Sequence, residues 1–226
     1  MKPFLKLGHQ TVRVIVGSEY EAQESFTIHK DLICSRSPFF RKALAGSWKE
    51  AAEQIVPLPS DDPEIFQWYL QALYAGDLRV QGMTTSGQLY PILGGVFVLA
   101  DKLQDVGVMN VVIRTIYELG SPKDYYELFF EMVTTVYEGT PGPCPIRGLL
   151  TDLYLGNDFH ITATDTSLLR VLDGVPQEFL RDVAFGMMTE DPCILRSRHF
   201  WKSRSVETYL EPDPEVEGDM SASECF

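Results

Sequence analysis

Hydrophobic positions change period several times along the first 120 residues, and each change predicts an element. Val12-Arg13-Val14-Ile15-Val16 is short, β-branched and closed by Gly17, the pattern of a strand with a buried face. The acidic stretch from Ser18 to Glu24 turns the chain. Phe26-Thr27-Ile28 then alternates as a second strand, completing a hairpin. Asp31 to Cys34 reads as a short helix that stops before Ser37-Pro38, because a residue preceding proline is driven out of the helical region. Pro38 at a first helical position, with Phe39, Phe40, Ala43 and Leu44 behind it, opens a helix that Gly46 is expected to end. Ile55-Val56-Pro57-Leu58 fits an edge strand, since Pro57 has no ladder donor.

Asp62-Pro63-Glu64 is a helix start: a capping side chain, proline at the first position and an acid beside the positive dipole end. Phe66, Leu70, Leu73 and Tyr74 recur at helical spacing and are expected to face the core, with Gly76 as terminator. A step of about 100° per residue then puts Glu64, Gln67, Trp68 and Gln71 on the outer side. Trp68 is the odd member of that face. Exposed, it marks a docking surface; the other placement buries it under the C-terminal region, on Tyr125 or Phe129. A polar loop from Gln81 to Gly87 precedes two helices, Leu89 to Gln104 and Val108 to Leu119, read as joined at Gly107. The second buries Val108, Val111, Val112, Ile116 and Leu119. After Gly120-Ser121-Pro122 come further helices at Asp124 to Tyr137, Ile146 to Leu155 and Gln177 to Met188. One core is expected to hold Phe26, Phe39, Phe40, Phe66, Leu70, Leu73, Leu99 and Leu103.

Composition adds little beyond an ordinary folded protein: 226 residues, 45% hydrophobic and 23% charged. Charge distribution adds more. Residues 205–226 contribute −7 of the formal −13 and contain no Lys, Arg or His, so with Pro212 and Pro214 among the acids they are expected to form a disordered tail. The acidic balance disfavours nucleic-acid binding, which draws on Lys and Arg to displace counterions. Arg196 to Arg204 is the basic cluster of the sequence; it reads as a solvated helix end or a patch for the acidic tail, with RNA contact or nuclear targeting as the alternative. Cys34, Cys144, Cys193 and Cys225 are far apart and read as reduced thiols. The apolar run from Leu89 to Ala100 is shorter than the roughly 20 residues a membrane span needs, and residues 1–9 lack a signal-peptide core. The expected location is cytoplasmic, nuclear or both. The sequence has no nucleotide-loop, hydrolase-elbow or zinc-protease motif, and His9, His29, His160 and His199 are isolated. No catalytic residue, metal ligand or cofactor is assigned, and His29 at a strand-to-helix junction reads as a structural histidine.

Taken together, these segments resemble a BTB/POZ domain: Val12 to Gly17, Phe26 to Leu32, Ser35-Arg36-Ser37-Pro38-Phe39-Phe40, Val56-Pro57-Leu58 with Asp61 to Phe66, Leu73-Tyr74-Ala75-Gly76, Val96 to Leu103 and Asn110 to Ile113. The likeness covers residues 8–119. Val136 to Pro141 with Ile146-Arg147 is similar to BTB proteins of filamentous fungi, which carry a helical C-terminal region of unassigned role. The resemblance implies an α/β (α+β) fold, a small sheet covered by helical hairpins, then a mostly helical region at 121–204 and the tail at 205–226.

It also implies a non-catalytic protein-interaction module, first as a Cullin-3 ubiquitin-ligase substrate adaptor, alternatively as a self-assembly scaffold or transcription-associated regulator. In relatives that recruit Cullin-3 the helix matching residues 62–75 takes part in the contact, which makes Glu64, Gln67, Trp68 and Gln71 the partner-binding candidates. Thr11 stands where the regulator branch opens its first strand with aspartate, so Lys30 lacks that acidic partner. About ten residues precede the strand, too few for the segment exchanged in swapped dimers, and the expectation is a monomer or weak homodimer. No kelch, zinc-finger or MATH segment is present, so a substrate surface is expected within residues 121–204.

Overall fold

The computed structural model describes residues 7–20, 22–46, 48–80, 88–120, 126–156, 173–190 and 200–212. Strand β1 (Thr11–Val16) pairs antiparallel with β2 (Glu24–His29), Thr11 opposite His29 and Val16 opposite Glu24. Strand β3 (Ile55–Leu58) lies parallel to β1 on its other side, giving the order β2-β1-β3. Pro57 therefore sits in an edge strand, where a missing donor is tolerated. Val12, Val14 and Val16 are buried while Thr11 and Arg13 are exposed, the alternation of a sheet with one covered face.

Helices α1 (Lys30–Arg36) and α2 (Pro38–Ala43) meet at Ser37, whose hydroxyl accepts from the Phe40 N–H and donates to the Leu103 carbonyl at 2.5 Å. The cap of α2 is Leu44 rather than Gly46. A short α3 (Lys49–Glu53) was not expected; it buries no residue, so it leaves no hydrophobic period to read. Helix α4 (Pro63–Ala75) starts as its sequence directs, with Asp62 accepting from the Glu64 N–H at 2.7 Å and the Ile65 N–H at 3.3 Å. It ends at Gly76, whose φ of 67° an L side chain would resist.

The inward face of α4 differs from expectation. Phe66, Tyr69, Ala72 and Leu73 are buried, whereas Leu70 is half-buried and Tyr74 is 37% exposed. The stripe is centred one helical neighbour away because Tyr69 has a buried hydrogen-bond partner and so tolerates the interior. Phe26 and Phe39 are likewise half-buried at the core margin; the Phe26 ring packs on Phe66 at 5.0 Å.

Helix α5 (Leu89–Lys102) runs through the middle of the molecule and packs on α4, α6 (Val106–Leu119) and α7 (Tyr126–Gly139). Gly94 and Gly95 permit this: a Cβ on Gly94 would lie 3.1 Å from Met132 of α7, and one on Gly95 2.9 Å from Ile65 of α4. Gly107 is not the joint between α5 and α6 but lies in the first turn of α6, after a corner at Leu103 to Asp105. Asp105 caps that helix, and its buried face adds Met109 and Ile113 while Val111 and Leu119 are only half-buried. Helix α8 (Pro145–Leu155) and α9 (Gln177–Thr189) follow, and their buried residues join one hydrophobic cluster with those of the sheet and α4 to α6.

The expectation of disorder from residue 205 fails for residues 205–212. After a 3-10 turn at Phe200–Ser203, a second at Val206–Tyr209 buries Tyr209 to 2% exposure. The Tyr209 hydroxyl donates to Asp152 at 2.6 Å and its ring packs on Tyr117. Beyond it, Asn110 grips the Glu211 backbone twice, donating to its carbonyl at 3.0 Å and accepting from its N–H at 2.7 Å. These partners lie far back in the sequence, where local composition could not show them. Residues 81–87, 121–125, 191–199 and 213–226, on which other expectations fall, lie outside the described residues.

Candidate functional site

The capping of α4 by Asp62 fixes which side of the helix turns outward, and the four residues expected there do come together. Glu64 and Gln67 are exposed, Trp68 and Gln71 half-buried, and with Leu70 and Tyr74 they line one open groove of about 630 Å3. Trp68 takes neither of the two extreme placements: it packs against the core on one side and lines the groove with the other. Tyr74 is held in place from the sheet. The His29 N–H donates to the Tyr74 hydroxyl at 3.1 Å, and the His29 Nδ1 lies 2.9 Å from the same oxygen. The two rings meet edge to face at 5.9 Å. His29 is thus a structural residue that orients a groove wall.

Leu70 and Tyr74 are the groove members that sequence reasoning turned inward. The signal available was Tyr69: placing it on the core face with Phe66 and Leu73 rotates the stripe and brings Leu70 and Tyr74 to the flank. Two other concavities lie on the same half of the chain. One, of about 410 Å3, has Trp48 and Lys42 in its wall; the other, of about 290 Å3, lies between Asp77 to Val80 and the outer face of α6.

Among the described residues the fully buried polar side chains are engaged in holding the fold, while Glu211 Oε1 is buried without a hydrogen-bond partner. Asp105 is completely buried and accepts from the Val108 N–H at 3.0 Å, the Tyr69 hydroxyl at 3.1 Å and Arg36 Nη2 at 3.3 Å. Burial, with Asp105 beside it, pushes the Tyr69 phenol well above its usual range, so it stays a neutral donor. Arg147 is buried between α7 and α8; it donates to the carbonyls of Tyr137 and Thr140 at 2.8 and 2.9 Å and to Glu178 at 2.5 Å. Its guanidinium also stacks 4.3 Å above the Tyr137 ring centre. Asp152 receives Tyr209 and, at 3.1 Å, Arg204, which also pairs with Glu190. Among the described residues no group of three or more His, Cys, Asp or Glu is placed to hold a metal ion, and no helix is long and apolar enough to cross a membrane.

A three-stranded sheet with β1 central, a capped α4 under it and a closing α5–α6 hairpin is the arrangement the sequence motifs implied, and a family model of the BTB/POZ domain matches residues 4–115. The chain carries a BTB/POZ domain. BTB domains mediate protein–protein interaction and oligomerisation and are generally non-enzymatic. The match begins ahead of β1 and ends within α6, so it contains the α4 groove and leaves α7, α8, α9 and the 3-10 turns outside.

Proposed function

We propose that the α4 groove is the partner-docking surface of this BTB domain and that its partner is the N-terminal domain of Cullin-3, with the chain acting as a ubiquitin-ligase substrate adaptor. The observation that supports this reading is the convergence of Trp68, Leu70 and Tyr74 on one groove rimmed by Glu64, Gln67 and Gln71. An aromatic and aliphatic floor with an amide rim suits an amphipathic helix, whose apolar residues fill the floor while its polar edge meets the glutamines. Tryptophan and tyrosine are enriched among residues that dominate binding energy. His29 holds Tyr74 before a partner arrives, which lowers the ordering cost of docking.

The same reading places the chain in the cytoplasm or nucleus and as a monomer or weak homodimer. For the compartment, its support is that Cys34 and Cys144 are free thiols, which suits a reducing environment. The test is a pull-down of purified Cullin-3 N-terminal domain with wild type, Trp68→Ala and Gln67→Arg, each checked for fold by circular dichroism. Capture by wild type and loss in both variants is the expected result. Failure of folded wild type to capture the domain removes the adaptor reading and leaves the interaction module.

A further inference from the structure

Helix α9 is fixed on one side and bare on the other. Its inner side is pinned by Phe179 and Val183, both buried in the core, by Glu178 on Arg147, and by the Tyr137 hydroxyl, which donates to Asp182 at 3.0 Å. Gly186 lets the helix sit close on α8, since a Cβ there would lie 2.7 Å from Leu155. With those positions turned in, a step of about 100° per residue turns Leu180, Ala184, Phe185, Met187 and Met188 out together. All five are exposed, Phe185 at 68% and Met188 at 85%. Four of the eight large hydrophobic side chains exposed among the described residues are in this set, so exposed apolar surface concentrates on one helix.

The size of the face points to its occupant. The four large side chains expose about 500 Å2, within the range of patches that bind something, and two copies meeting here bury about 1,000 Å2, the class of weak, reversible association. The face is also complementary to itself. With two α9 helices antiparallel about a two-fold axis beside Ala184, the small side chain lets the backbones approach, and Leu180 of each copy meets Met187 and Met188 of the other. Arg181, which pairs with its neighbour Asp182 at 3.3 Å, then shares a flank with Phe185 of the second copy, where its guanidinium can stack on the ring. The two Arg181 residues fall about 9 Å apart along the helix axis. A lipid surface suits the face less well, because helices that lie on membranes are rich in Lys and Arg, and α9 has Arg181 as its one cation against Glu178 and Asp182.

We propose that the outer face of α9 is a self-association surface, on which a second copy of this chain docks antiparallel about Ala184 to form a weak dimer. The face lies outside the residues matched by the BTB/POZ model and shares no residue with the α4 groove. A dimer built here carries two such grooves, and a bivalent assembly holds a bivalent partner more tightly than either groove alone.

The experiment is sedimentation velocity of the full chain at rising concentration, up to the order of 100 μM, where an interface of this class is populated. The expected result is a sedimentation coefficient that climbs toward that of a dimer. Phe185→Ala and Met188→Glu, both at exposed positions and checked by circular dichroism, should each weaken association by about tenfold or more. Trp68→Ala should associate like wild type, so the outcome is independent of the Cullin-3 reading. With copper-phenanthroline as oxidant, Ala184→Cys should link to itself across the axis, as mapped by mass spectrometry, while Gln177→Cys, about 21 Å from its mate along the axis, should not. A chain that stays monomeric throughout, a dimer that Met188→Glu leaves intact, or self-linking of Gln177→Cys without that of Ala184→Cys would each overturn the proposal. So would a monomer that floats with vesicles of phosphatidylcholine and phosphatidylserine, which assigns the face to lipid.

Discussion

Ser37 and Asp105 are the buried polar side chains among the described residues of the BTB half, whereas Thr140, just after α7, and Arg147, Thr151 and Asp152 of α8 are all buried in a short stretch of the second half. The first half is closed by apolar side chains at regular spacing: Phe66, Tyr69 and Leu73 of α4 against Val96, Phe97 and Ala100 of α5. Both halves tie a buried carboxylate to partners from elsewhere in the chain, Arg36 and Tyr69 for Asp105 and Arg204 and Tyr209 for Asp152, but the second half adds a buried cation, Arg147, paired with Glu178. Buried charge tolerates little substitution of its partners, because a group left unpaired in the interior costs its full desolvation. The difference therefore predicts a fragility to polar substitution that is greater in the second half.

The largest effects separate the two halves directly. Phe66→Ala should lower stability by about 3–5 kcal/mol, as cavity formation does for a fully buried phenylalanine, and denaturant unfolding followed by circular dichroism would register it. Arg147→Ala should cost about 3 kcal/mol, because the carbonyls of Tyr137 and Thr140 lose their donor inside the fold. Arg147→Met retains most of the volume, so comparing the two variants divides the polar loss from the packing loss. If Arg147→Ala unfolds like wild type, the second half is held by its apolar contacts alone and the contrast collapses.

A smaller loss, about 1.5 kcal/mol, is expected for Tyr209→Phe, which removes one donor to a buried carboxylate but leaves Arg204 in place. Smaller still is the effect of Glu211. Burial first, and Asp101 beside it, raise its carboxyl pKa above 4.5, and its Oε1 is buried with no hydrogen-bond partner. A raised folded-state pKa means that the docked segment is favoured below 4.5 and loses that advantage as pH rises through the raised value. Amide exchange of residues 206–211 should accordingly quicken with pH beyond its intrinsic rise. Glu211→Gln should abolish that excess and slow exchange at neutral pH; an unchanged profile would show that the carboxyl does not bear on docking.

The apolar half was the legible half, for the same physical reason. Local rules govern it: Asp62-Pro63-Glu64 caps a helix wherever it occurs, and Val12 to Val16 alternates because a sheet has two faces. The partial failure at Leu70 and Tyr74 came from a stripe that left out Tyr69, which a buried acceptor makes a core residue. The docked residues 205–212 were illegible because nothing within the acidic segment reveals Asn110 or Asp152 as partners. Of the groove, Glu64, Gln67, Trp68 and Gln71 followed from helical geometry; that Tyr74 joins them depends on His29, which the sheet brings across.

Trp68 and Trp48 lie in different concavities of the same BTB domain, which makes the docking claim directly measurable. Isothermal titration of Cullin-3 N-terminal domain into wild type, Trp68→Ala and Trp48→Ala should show affinity falling by at least about tenfold, some 1.4 kcal/mol, for Trp68→Ala and staying near wild type for Trp48→Ala. Retained binding in folded Trp68→Ala, or loss confined to Trp48→Ala, would contradict the assignment of the α4 groove as the docking surface.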